Sequence, residues 1–183
     1  MMQWLAVPLG LQALAMLVDE LHFHRQRGLP RWERIGHPLD TLSVLACYAL
    51  ALSASPTQGH LIAYALVAAA SCLLVTKDEL VHAERCKPME QWLHALLFML
   101  HPIVLGSAAL LWLGQERTLL WLSASLTAAF GAYQALYWNV PWTKRLRPRS
   151  TMPFTTSSVN AGTPPTTTPS PCYVPNRGSE TRG

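Results

Sequence analysis

Long apolar runs alternate with short polar segments along this chain. Five runs read as helices: Gln3–Val18, Leu39–Ser55, Leu61–Thr76, Trp92–Leu113 and Leu119–Trp138. Several fall short of the ~20 residues that cross a hydrocarbon core. The first three reach that length if their helices continue into the neighbouring polar segments. A soluble bundle needs a polar stripe on every helix. Ile62–Val75 and Ile103–Leu113 carry almost no polar residues, which excludes that class. The pattern predicts an all-α, polytopic membrane bundle of five transmembrane helices. The first run lacks the basic segment of a cleaved signal and is read as a retained helix.

The polar segments repeat. Glu20-x-x-x-His24 precedes Pro30 and Glu33-x-x-x-His37. Asp78-x-x-x-His82 precedes Pro88 and Glu90-x-x-x-His94. The offset is 58 for the first histidines and the prolines, and 57 for the second pairs. Aligning Asp19-Glu20-Leu21 with Asp78-Glu79-Leu80 instead gives 59. The histidine register is preferred because it keeps all four acid–histidine pairs at one spacing. Repeat one spans about 3–55 and repeat two about 60–113, each a helical hairpin in the same orientation. Four of the five helices thus come from two parallel repeats. The fifth, about 118–139, has no counterpart, and the helical domain covers 1–148. The Ser/Thr/Pro-rich stretch 149–183 lacks apolar periodicity and reads as a disordered tail.

Charge sets an orientation. Eleven basic residues fall in the two acid–histidine segments and just after the fifth run, against Arg117 alone on the other side. The positive-inside bias predicts an N-terminus outside and both polar segments and the C-terminus in the cytoplasm. In a bacterium this would be the inner membrane. The net charge of +4 follows from that topology and implies contact with anionic membrane lipid. No nucleic-acid motif is present. Cys47 and Cys72 fall within apolar runs and read as packing residues.

An i,i+4 spacing places both side chains on one helix face. Carboxylate and imidazole together ligate iron, zinc and manganese. The proposed ligands are Glu20, His24, Glu33, His37, Asp78, His82, Glu90 and His94, all at one depth. Asp40, Glu79, His101 and His22 are further candidates. Polar residues do gather at membrane edges, which accounts for one or two such pairs. It does not account for four at one spacing, repeated. Asp40 shares a face with Glu33 and His37 only if Gly36-His37-Pro38 leaves the helix continuous. His101 lies about two turns deeper than His94, where an imidazole is costly unless it has a partner or a role.

These segments resemble, in style, the histidine-box membrane di-iron oxygenases, although no HxxHH box occurs here. They also resemble the ferritin-like di-iron bundles, whose Glu-x-x-His spacing is met by Glu79-Leu80-Val81-His82. The resemblance implies two metal ions, iron first and zinc as the alternative. It implies an oxidoreductase acting on a lipid or other apolar substrate at the cytoplasmic side, with an electron-donor protein as partner. The competing expectations are an intramembrane zinc hydrolase and a non-enzymatic metal transporter or sensor.

Overall fold

The structure is a computed structural model that describes residues 3–78 and 88–140. Five long helices account for nearly all of them, and no strand occurs among the described residues. We label them α1 (Gln3–His24), α2 (Arg31–Ser53), α3 (Gln58–Val75), α4 (Pro88–Leu113) and α5 (Arg117–Asn139). Each is long and apolar enough to cross a membrane. Most of their apolar surface faces outward, as Leu66 at 67% and Leu73 at 73% exposure illustrate.

Short turns at residues 28–30, 54–57 and 114–116 reverse the chain between α1 and α2, α2 and α3, and α4 and α5. At the first turn Gly28 takes φ 76°, a conformation that favours glycine, and its N–H bonds the His24 carbonyl at 2.8 Å. Pro30 then precedes the first residue of α2. Pro38 lies inside α2, yet the helix is continuous from Arg31 to Ser53. Thr57 caps α3 by accepting the His60 N–H at 3.4 Å.

The apolar core sits at one end of the bundle. Leu5 of α1, Ala51 of α2, Tyr64 of α3, Leu111 and Trp112 of α4, and Leu120 of α5 meet there. Trp112 Nε1 donates to the Ala54 carbonyl at 2.9 Å, and the Tyr64 hydroxyl to the Leu105 carbonyl at 2.7 Å. Along the bundle, α2 packs against α5 and α3, and α1 packs against α4. The α2–α5 contact is close because Gly131 faces Thr41. A Cβ at Gly131 would lie 2.6 Å from Thr41 Cγ2. Thr41 Oγ1 also donates to Gln134 Oε1 across this seam at 3.1 Å. Small residues that let two backbones approach are the usual device of helices packed in lipid. The polar residues of α1, α2 and α4 collect at the end opposite the core.

Candidate metal centre

The end of α1 is where local structure departs from the ordinary helix. Asp19–His24 form a turn of π-helix, with the Arg25 N–H bonded to the Glu20 carbonyl five residues back. Such turns accommodate one extra residue and are frequent at functional sites. Here the turn sets Asp19 and His24 face to face, with His24 Nε2 3.3 Å from Asp19 Oδ2. It keeps Glu20 in reach as well, with Oε2 3.5 Å from His24 Nδ1. One imidazole is thus flanked by two carboxylates of its own helix.

From α4, His94 Nε2 lies 3.2 Å from Asp19 Oδ1 and 3.1 Å from Oδ2. Glu90, one turn before His94, is buried beside it. From α2, His37 brings its ring centroid to 4.9 Å from that of His24, and Glu33 is fully buried one turn earlier. The ligand atoms of Asp19, His24, Glu90 and His94 all lie within 4.8 Å of one another, and so do those of His24, Glu33 and His37. His24 belongs to both groups.

The arrangement fits metal binding. Ligands about 2.0–2.2 Å from one ion lie at most about 4.4 Å apart, so small side-chain adjustments bring either group onto an ion. The donors are the oxygen and nitrogen types that first-row transition metals accept. This buried His/Asp/Glu group could hold a metal.

Of the eight ligands expected from sequence, Glu20, His24, Glu33, His37, Glu90 and His94 converge at this end of the bundle. Asp78 is described only as the last residue of a short 3-10 turn, Thr76–Asp78. His82 and Glu79 lie outside the described residues, as does the tail 149–183. Asp40 faces Lys77 of that same turn, whose Nζ lies 2.7 and 2.6 Å from its two carboxylate oxygens. His22 is exposed and bonded to Gln26 at 3.3 Å. His101 is buried two turns along α4, with Nε2 2.9 Å from Ser71 Oγ, which in turn meets Ser43 Oγ at 2.6 Å.

Comparison with protein-family models, curated proteins and solved structures returned no match. The site is therefore read from its own geometry.

Two residues at the site are not among the sequence-derived candidates. Asp19 is central, yet helical periodicity sets it aside because i,i+5 is not a face-sharing spacing in an α-helix. The signal was present in the 59-versus-58 slip of the repeat register. Trp138 reads from sequence first as an interfacial aromatic, with the alternative that its polar tip reaches groups beside the site. It is buried at 3% exposure, and its Nε1 donates to Glu20 Oε1 at 2.6 Å. That contact ties α5 to α1 across 118 residues of sequence.

The centre opens on a cavity of about 590 Å³. Its walls are mostly apolar, and Asp19, Glu20, His24, His37 and His94 close one end.

Proposed function

We propose that this chain is an integral membrane metalloprotein holding two iron ions, which oxidises a lipid or other apolar substrate at the cytoplasmic face. The observation that carries the reading is the pair of ligand groups sharing His24 beside an apolar cavity. Helical bundles build two-metal centres by pointing carboxylates and imidazoles inward from several helices. Asp19, Glu90 and His94 would hold one ion and Glu33 and His37 the other, and His24, within reach of both groups, would complete one of them. Asp78 and His82 remain expected contributors. The mixed oxygen–nitrogen set suits iron, which when bound supplies one-electron chemistry with oxygen.

The residues themselves orient and exclude. Asp19 fixes the His24 and His94 rings through their Nε2 atoms. Trp138 holds one oxygen of Glu20 and leaves the other directed at His24. The apolar walls keep water from the reacting atoms. An electron-donor protein would approach at the cytoplasmic end, where the basic residues predict that face to be.

The π turn reconciles the histidine register of the repeat with the alternative register that matches Asp19 to Asp78. Asp19 and His24 are five apart where Asp78 and His82 are four apart. One π turn absorbs that single added residue.

A zinc hydrolase is the second reading. His24, Glu33 and His37 form a two-histidine, one-glutamate set, a ligand combination that catalytic zinc uses with water in the fourth position. A transporter is disfavoured because the far end of the bundle is packed by Leu5, Leu111, Trp112 and Leu120.

Elemental analysis with visible spectroscopy and an oxygen electrode separates these readings. About two irons per chain with oxygen uptake supports the oxidoreductase. One zinc in a colourless, oxygen-indifferent protein replaces it with the hydrolase.

A further inference from the structure

Gln134 is a buried amide whose two ends are used differently. It lies on α5, only 4% exposed, and lines the cavity. Its Oε1 accepts the Thr41 hydroxyl at 3.1 Å. Gly131, one turn earlier on the same face, lets Thr41 come close enough to make that bond. With Oε1 held by α2, the Nε2 end is directed away from Thr41. Its two N–H groups meet no acceptor among the described residues. The nitrogen is not sealed within protein either, unlike Gln12 Oε1, so it opens on the cavity.

The amide stands close to the metal centre. Gln134 is one turn before Trp138, which reaches Glu20, and Thr41 is one turn after His37. At 1.5 Å per residue each lies about 6 Å from the centre along the bundle. Beyond them the cavity runs past Phe98, Val104, Leu122 and Leu126, all apolar.

This setting selects the chemistry of a ligand. An N–H donor without an acceptor bears its desolvation cost until one arrives. The amide's own acceptor is already taken, so the matching group accepts and has no proton of its own to place. Aldehyde, ketone and ester oxygens meet that description. A carboxylate also accepts, but its charge is costly at this depth.

We propose that Gln134 receives a neutral carbonyl-class oxygen of the substrate, which lies with its oxygenated end at the metal centre and its hydrocarbon along the apolar walls. The inference deepens the metal-centre reading and rests on it for one point: the carbons next to that carbonyl are the ones acted upon.

The test uses the full-length protein in detergent and two probes, a long-chain methyl ketone and the alkane of equal length, each displacing a fluorescent hydrocarbon. Gln134→Met keeps the volume and removes the N–H groups. The preference for ketone over alkane should fall about tenfold from wild type to Gln134→Met, the scale of one hydrogen bond. The alkane should bind both proteins alike, which shows that the cavity is intact. The infrared stretch of an isotope-labelled ketone gives a second readout. In wild type it should lie below that of the same ketone in protein-free micelles, and in Gln134→Met the downshift should vanish. Should the variant lose the alkane as well, the wild-type downshift decides alone. A bound ketone without a downshift in wild type, or a preference and downshift that survive Gln134→Met, would overturn the proposal. Metal content measured on the same samples keeps the two claims apart. Bound metal without the downshift sinks the Gln134 contact alone, and the downshift without bound metal upholds that contact and sinks the metal centre.

Discussion

Asp19 and His24 stand five residues apart on one helix and meet at 3.3 Å, carboxylate oxygen to imidazole nitrogen. The π turn makes this possible, and it also delivers Asp19 to His94 of α4. Asp19 therefore carries more of the site than its sequence position suggests. Asp19→Ala should weaken metal binding by at least about 100-fold, the scale of severe losses at metal sites. Competition with a metallochromic chelator measures it, and wild-type affinity in Asp19→Ala would remove this residue from the centre.

Trp138 should act through Glu20. Trp138→Phe keeps most of the ring and loses the N–H, leaving one buried carboxylate oxygen without that donor. The expected cost is about 1–3 kcal/mol of stability, read from thermal denaturation in detergent. Metal affinity should fall less than in Asp19→Ala.

Asp40 offers a contrast. Its carboxylate is engaged by Lys77, with both side chains about 15% exposed. Asp40→Asn should lower stability by about 1–3 kcal/mol, below the cost of breaking a fully buried pair. It should leave metal stoichiometry unchanged. Loss of metal in Asp40→Asn would reassign this residue as a ligand.

The seam between α2 and α5 predicts a steric effect. Gly131→Ala places a methyl against Thr41, which must shift and strain its bond to Gln134. Overpacking of this kind costs about 1–3 kcal/mol. A thermal midpoint equal to wild type would show that the seam yields freely.

Most of this architecture is legible in the sequence because apolar run length and i,i+4 pairing are local signals. Five apolar runs became five helices; α1 and α2 gained length by continuing into the acid–histidine segments, whereas α3 ends at Val75. Pro38 leaves α2 continuous, a point on which local sequence is silent. Asp19 escapes periodicity because the π turn changes the period over six residues. The end of the fifth span falls near the site by sequence, but the partner of Trp138 lies on α1, and only packing shows that it is Glu20. Asp40 shares a helix face with Glu33 and His37, but the nearby Lys77 of another element engages it.

The proposed two-ion centre turns on His24, because both ligand groups contain it. The most direct measurement is the metal content of full-length protein purified in detergent, wild type beside His24→Ala, after anaerobic reconstitution with iron and separately with zinc. A two-ion centre gives about two irons per wild-type chain and loses both in His24→Ala. A wild type that retains no metal, or a His24→Ala variant with wild-type metal content, would contradict it.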